Sequence, residues 1–185
     1  MRAKEITFVA LFASIMGALG LVPPLMLSFT PVPITLQTLG VLLSGGLLGG
    51  RLGAWSQMVF LLLVAVGIPL LSGGRGGFGV FFGPSGGYIL SYPITAFLIG
   101  YVLHKIPRLR LWHVLAFNLT VGIFVIYLFG IPFQAMIMNI SISHAIQLSL
   151  VYLPGDVIKA IIASFLVVKL HKYPIFNNAK AARAG

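Results

Sequence analysis

The chain has 185 residues, of which 59% are apolar and 8% charged, and its mean hydropathy is +1.08. Soluble domains carry about 25% charged residues, so this composition excludes a water-soluble enzyme, a coiled coil and a disordered tail, and predicts that lipid is the solvent. The absence of cysteine excludes disulfides, thiol catalysis and thiolate metal sites. Twelve Lys or Arg against two acids give a formal charge of +10. Because the basic residues fall in short clusters between apolar runs, they indicate membrane loops and not a nucleic-acid surface.

Six apolar runs have lengths close to the 20 or so residues that a membrane-spanning helix needs. They cover approximately residues 6–22, 36–50, 54–71, 88–104, 111–130 and 154–170. The stretch 131–153 is also apolar, but it contains three amides, a histidine and three serines. We interpret it as a cap or interfacial segment. The sequence therefore predicts one all-α transmembrane domain, residues 1–185, with six spanning helices.

The basic residues predict how these helices are oriented. With six spans both termini share one side, and that side carries ten Lys or Arg, namely Arg2, Lys4, Arg51, Lys105, Arg108, Arg110, Lys169, Lys172, Lys180 and Arg183. The opposite connections carry Arg75 alone. Cytoplasmic loops are enriched in Lys and Arg, so we expect both termini in the cytoplasm.

Two charged residues fall inside the sixth predicted span. Pro154 suits the first position of a helix, which places Asp156 in the first turn, where the helix dipole stabilises a carboxylate. Lys159 follows three residues later on the same face. One interpretation is that the two charges neutralise each other. The other is that they bind a small ligand with N–H donors at one end and a carboxylate at the other, since charges within spans tend to be functional.

The first and third outer connections supply further candidate ligand contacts. Prolines make residues 31–37 rigid and bring Thr35 and Gln37 into the second helix. Residues 72–87 include eight glycines, which allow the backbone to approach a ligand, and Arg75, which could meet a carboxylate. Tyr88 follows with a ring and a hydroxyl. The alternative is that Arg75 is a solvated loop cation and that Tyr88 belongs to an interfacial aromatic belt.

Ala10 and Ser14 lie four residues apart on the first predicted helix. Small residues at this spacing either pack inside the bundle or form a face for another membrane subunit. His104, His113 and His171 are too scattered to predict a metal site, and His144 has no assigned role. The sequence contains no Gly-Lys-Ser/Thr motif, so no nucleotide site is predicted in this chain.

Three segments, taken in order, resemble the BioY family of biotin transporters, the substrate-binding S components of energy-coupling factor (ECF) systems. They are PVPITLQTL at residues 31–39, GGRGGFGV with GPSGGY at residues 73–80 and 83–88, and LPGDVIK at residues 153–159. The resemblance covers nearly the whole chain. It implies a six-helix S-component bundle in a prokaryotic cytoplasmic (inner) membrane, with outer loops capping a substrate pocket.

The resemblance also implies biotin as the transported ligand, with no cofactor and no catalytic activity in this chain. Asp156 is then expected to bind the ureido N–H groups and Lys159 the carboxylate, and Ser85 joins the candidate contacts from the glycine-rich segment. The implied partners are a transmembrane coupling subunit and a pair of cytoplasmic ATPases. Ala10 and Ser14 match the small-residue motif that meets the coupling subunit.

Three other functions remain open from the sequence. An S component for another small vitamin would keep the fold and change the pocket. A self-sufficient proton-coupled carrier could use Asp156, but such carriers usually show matching halves, and none is evident. A membrane-embedded enzyme would need a nucleophile with a base or paired carboxylates, and one acid within the spans supplies neither.

Overall fold

The computed structural model describes residues 1–173, so Lys180 and Arg183 lie outside the described residues. Nine α-helices are present in the described part of the chain: α1 Ala3–Gly20, α2 Gln37–Leu48, α3 Gly50–Ala65, α4 Gly86–Leu90, α5 Tyr92–His104, α6 Leu111–Phe117, α7 Phe124–Met138, α8 Ile142–Leu150 and α9 Leu153–Leu170. One antiparallel hairpin, β1 Leu25–Leu27 and β2 Thr30–Ile34, lies between α1 and α2. The all-α class is confirmed.

Several of these helices join into longer stretches. α4 and α5 form Gly86–His104, and α6, a π-helical turn at Asn118–Ile123, and α7 form Leu111–Met138. These two stretches and Ala3–Gly20 are long and apolar enough to cross a membrane, and α8 with α9 forms a fourth candidate bent by 55°. α2 and α3 are apolar but only 12 and 16 residues long. Each of the six predicted segments contains helix, while six crossings remain a prediction.

Two helix ends differ from the sequence-based boundaries. α3 stops at Ala65 and not near residue 71, because Gly67 adopts a left-handed φ of 104° and turns the chain away. α7 continues past the expected end at residue 130 to Met138, although Pro132 lies inside it. The ring of Tyr88 packs directly on Gly130, where an added Cβ would lie 2.2 Å from Cδ1. By their local conformational preferences, Gly130 and Pro132 would end the helix here. Packing between α4 and α7 therefore keeps this segment helical.

The stretch 131–153 is divided between two helices. Its first part completes α7, and α8 follows after Asn139, which has a left-handed φ of 51°. The Ser141 hydroxyl accepts a 3.2 Å hydrogen bond from the backbone N–H of His144, which is a standard N-cap. The segment is thus a helical turn-back that leads into α9, where the sequence predicted only a cap or interfacial segment.

Two ends of the bundle can be distinguished by what packs there. A large apolar cluster joins Phe8, Leu48, Leu103, Val114 and Val167, so the start of α1, the ends of α2, α5 and α9, and the start of α6 share one end. The hairpin, the glycine-rich connection and the α8–α9 junction lie at the other end, where Val32 packs with Tyr88 and Tyr152. The candidate site is at this second end.

Candidate functional site

A cavity lies at the second end of the bundle, between the hairpin, the glycine-rich connection and helices α2, α4, α7 and α9. All seven residues that the sequence proposed as ligand contacts line it, namely Thr35, Gln37, Arg75, Ser85, Tyr88, Asp156 and Lys159. Its free volume is about 50 Å³. Ligand pockets usually measure about 300 Å³ or more, so the cavity in this conformation is small for a ligand site.

The first turns of α9 hold the charged pair against the cavity. Pro154 stands in the first turn, and Asp156 and Lys159 are 9% and 6% exposed. Lys159 Nζ lies 2.6 Å from Asp156 Oδ1, in an i, i+3 ion pair. Burial of either charge alone would be costly, so each group makes the other tolerable in the bundle.

The ammonium of Lys159 has a complete set of partners within the protein. Besides Asp156, it donates to the backbone carbonyl of Thr35 at 2.9 Å and to Oγ1 of Thr38 at 2.7 Å. An ammonium has three N–H donors. All three are therefore engaged, and Lys159 ties α9 to the start of α2.

The carboxylate of Asp156 keeps one acceptor position open. Oδ1 accepts from Lys159 and from the hydroxyl of Thr38 at 3.3 Å, while Oδ2 accepts from the hydroxyl of Tyr127 at 2.7 Å. A carboxylate offers about four lone-pair positions, two on each oxygen. Oδ2 can therefore accept one more N–H from a ligand without losing a protein contact.

Three tyrosine rings form an aromatic wall beside this pair. Tyr88 meets Tyr127 and Tyr152 edge to face, with ring centroids 6.1 and 6.5 Å apart. The Tyr88 hydroxyl donates to Gln134 Oε1 at 2.9 Å and lies 2.8 Å from Ser149 Oγ. Because its hydroxyl is held by these residues of α7 and α8, Tyr88 offers the cavity mainly the surface of its ring.

Arg75 is a second cation on the cavity wall, and it is half-buried. Its Nε donates to the carbonyl of Ser72 at 3.3 Å, in a tight turn where Gly73 and Gly74 have left-handed φ values of 81° and 68°. Among the hydrogen bonds and ion pairs of residues 1–173, none involves its two terminal nitrogens. These nitrogens are therefore available to an anion.

Gln37 has a different environment from the other candidates. Its Nε2 donates to the carbonyl of Leu70 at 2.9 Å and to that of Met16 at 3.4 Å. The amide N–H groups are thus used to join α2 to α1 and to the α3–α4 connection. Gln37 lines the cavity, but its contacts favour a structural role. Ser85 is buried at the N-terminus of α4.

Sequence reasoning did not identify Thr38, Tyr127 or Tyr152, which the structure brings to the same cavity. Thr38 follows Thr35 by three residues at the start of a helix, so helical spacing could have indicated it. Tyr127 lies in a uniformly apolar run, whose sequence does not indicate which helix face is buried. Tyr152 lies in the stretch 131–153, which the sequence predicted only as a cap or interfacial segment.

Ala10 and Ser14 lie far from the cavity, on the exposed face of α1. The Ser14 hydroxyl donates back to the carbonyl of Ala10 at 2.9 Å, so it needs no partner from another helix. The adjacent Ala13 and Gly17 are buried. The internal-packing interpretation thus fits Ala13 and Gly17, while Ala10 and Ser14 face outward. Within residues 1–173 no cluster of three or more His, Cys, Asp or Glu could hold a metal.

Comparison with known proteins gives one consistent result. The sequence pattern of the BioY family matches residues 1–174. The chain is 51% identical over 170 residues to the probable biotin transporter BioY of Bacillus subtilis, covering 92% of this chain and 91% of that protein. It is 42% identical to the biotin transporter BioY of Rhizobium etli, over 90% and 92% of the two chains. A crystal structure of the S-component for biotin from an ECF-type ABC transporter superposes with a TM-score of 0.92 at 35% identity, covering 96% of both chains.

Proposed function

The chain belongs to the BioY family, a family of membrane transporters and not of enzymes, and on this premise we propose that it is the high-affinity biotin-binding S component of an ECF importer. Its partners are then a transmembrane coupling subunit and a pair of cytoplasmic ATPases. The similarity to a biotin S-component at a TM-score of 0.92 supports this. The sequence supplies no nucleotide-binding motif, which is consistent with ATP hydrolysis on separate subunits.

The observation that carries the proposal is the open acceptor position on the buried carboxylate of Asp156, next to an aromatic wall. Biotin has ureido N–H groups on an apolar bicyclic ring. A charge-assisted hydrogen bond from one ureido N–H to Asp156 Oδ2 uses the position left free by Lys159, Thr38 and Tyr127. The rings of Tyr88, Tyr127 and Tyr152 then bury the bicyclic ring.

The sequence led us to expect Lys159 as the partner of the ligand's carboxylate, but the contacts favour Arg75. Lys159 has no donor left, because Asp156, Thr35 and Thr38 engage all three of its N–H groups. Arg75 retains its terminal nitrogens, whose fork geometry suits a carboxylate. We therefore propose that Arg75 pairs with the valerate carboxylate, while Lys159 holds the carboxylate of Asp156 in position through their ion pair.

Two single variants and two ligands test this pose. Calorimetry on the detergent-purified protein compares Arg75→Gln and Lys159→Gln, each with biotin and with biotin methyl ester. We expect Arg75→Gln to weaken biotin binding by about tenfold and ester binding much less, since a lost charged contact is worth about 1.4 kcal/mol or more. We expect Lys159→Gln to weaken both ligands equally. A loss specific to free biotin in Lys159→Gln would instead restore Lys159 as the carboxylate partner.

The transport role is tested separately from binding. The purified chain is titrated with a panel of small vitamins, and biotin is expected to bind most tightly. Vesicles that contain the chain alone, or the chain with a coupling subunit and ATPases, are then assayed for biotin uptake. ATP-dependent uptake only in the second preparation is expected. Uptake by the chain alone, driven by a proton gradient, would support the carrier interpretation, and tighter binding of another vitamin would change the substrate.

A further inference from the structure

The end of the bundle opposite the cavity carries positive charge that the protein itself does not balance. Eight of the ten described Lys and Arg lie there: Arg2, Lys4, Arg51, Lys105, Arg108, Arg110, Lys169 and Lys172. The described chain has two acids. Asp156 is at the other end in the ion pair with Lys159, and Glu5 accepts the backbone N–H of Arg2. Among the described residues, this end therefore has one acid, Glu5, against eight Lys and Arg.

Within this end, the connection between α5 and α6 concentrates the charge. Lys105, Arg108 and Arg110 lie within six residues, and all three side chains are exposed. Ile106 and Leu109, which alternate with them, are half-buried and pack on the apolar cluster at this end. Those two apolar side chains fix the connection, and Lys105 Nζ lies 4.2 Å from the centroid of the exposed Tyr101 ring.

An aromatic residue fixes the depth of this group in the bilayer. Trp112 follows Arg110 by two residues and is 77% exposed, and Leu111 beside it is exposed as well. Trp prefers the membrane–water interface, where its ring sits at the level of the lipid headgroups. We therefore expect the side chains of Arg108 and Arg110 at the level of lipid phosphates.

We propose that Lys105, Arg108, Arg110 and Trp112 form a binding site for the headgroup of an anionic phospholipid. The arginines pair with the phosphate and with a second anionic group of the headgroup, and the Trp112 ring packs against the glycerol and upper acyl region. The charge imbalance favours a lipid over an acidic protein because Leu111 and Trp112 place the cations beside hydrocarbon. The site is independent of the ligand cavity.

The chain contains two tryptophans, so Trp112 can serve as its own probe. In the Trp55→Phe variant, fluorescence reports on Trp112 alone. The protein is reconstituted in phosphatidylcholine vesicles with a small fraction of brominated phosphatidylglycerol or, separately, of brominated phosphatidylcholine. We expect brominated phosphatidylglycerol to quench Trp112 more strongly than brominated phosphatidylcholine, because the anionic lipid is enriched around Trp112. We expect high salt to reduce the difference in quenching between the two lipids.

Two charge-matched triple variants locate the effect. The first variant combines Lys105→Gln, Arg108→Gln and Arg110→Gln. We expect it to lower the apparent affinity for the anionic lipid by at least about tenfold, since each basic residue near an anionic surface contributes about fivefold. Lys4→Gln, Arg51→Gln and Lys172→Gln remove the same charge elsewhere at this end and are expected to change it less than threefold. Biotin binding, measured in parallel, reports that both variants are folded.

Two results would overturn the proposal. Equal quenching by the two brominated lipids would show that no anionic headgroup is preferred. It would favour an acidic surface of a partner protein as the binding partner of these cations. Equal losses in the two triple variants would show that the basic end attracts lipid only through its overall charge. Either result leaves the proposed biotin-binding function unaffected.

Discussion

The hydroxyl of Tyr127 on α7 donates a 2.7 Å hydrogen bond to Oδ2 of Asp156 on α9. Twenty-nine residues separate the two in sequence. The bond fixes the orientation of the carboxylate, since Lys159 and Thr38 hold the other oxygen. The direction in which Asp156 presents its open acceptor position therefore depends on a helix that the sequence did not associate with the site.

Replacing Tyr127 by Phe should weaken biotin binding by about tenfold. The ring remains, so the change removes one hydrogen bond to a charged group, and such bonds contribute roughly 1.5–3 kcal/mol. Calorimetry measures the effect, and Tyr173→Phe, at an exposed position at the other end of the bundle, is the control. Unchanged affinity in Tyr127→Phe would show that Asp156 is positioned without this bond.

Replacing Asp156 by Asn should weaken biotin binding by more than tenfold, or about 1.4 kcal/mol. The amide loses the charge that attracts the ureido N–H, and Lys159 is left buried without its counter-ion. Thermal unfolding separates the two effects. Asp156→Asn with Lys159→Gln removes both charges and is expected to recover stability relative to Asp156→Asn, without recovering binding. Normal binding in either variant would remove Asp156 from the site.

Replacing Thr30 by Val should make biotin both enter and leave the cavity faster. Ligand pockets usually measure about 300 Å³ or more, so a free volume of about 50 Å³ requires an element to move before biotin enters. The buried hydroxyls of Thr30 and Tyr152 bond to each other and join the hairpin to the α8–α9 junction. Losing this bond lowers the cost of moving the hairpin.

Stopped-flow or radiolabelled-biotin exchange measures these rates. We expect each to rise severalfold and the equilibrium affinity to change less than either rate. Thr120→Val, which changes a threonine hydroxyl that bonds within its own helix, is the control. If the Thr30 variant exchanges biotin at the rate of the unmodified protein, the hairpin is not the element that moves.

Bulky residues at Ala10 and Ser14 should spare biotin binding and reduce co-purification with a coupling subunit. Both positions are exposed on α1, so a larger side chain there meets no neighbour within the chain. Ala10→Trp and Ser14→Trp are compared with Ile161→Trp, at an exposed position of α9. Unfolding of the α1 variants would indicate that these residues pack internally, and normal co-purification would place the coupling surface elsewhere.

The sequence predicted most of the fold and the charged part of the site because both leave strong local signals. Apolar runs gave the helices, and Pro154 with Asp156 and Lys159 indicated the start of α9 and its charged face. The bend of the α8–α9 region and the length of α7 were not predictable in this way. They depend on contacts between distant segments, such as Tyr88 on Gly130.

The assignment of partners within the site could not be made from spacing either. Whether Lys159 is free to bind a ligand depends on the carbonyl of Thr35 and the hydroxyl of Thr38, which come from another helix. The spacing of residues predicted that Asp156 pairs with Lys159. It could not show that all three N–H donors of Lys159 are engaged within the protein.

The three charges on the cavity wall lead us to expect that the membrane voltage acts differently on the filled and the vacant site. Asp156, Lys159 and Arg75 sum to one positive charge, and a monoanionic guest cancels it. Moving one elementary charge through 100 mV involves about 2.3 kcal/mol. We therefore expect passage of the filled site between the two faces of the membrane to be nearly indifferent to voltage, while return of the vacant site responds to it. An electrical recording that finds charge movement in the return step alone would match this asymmetry.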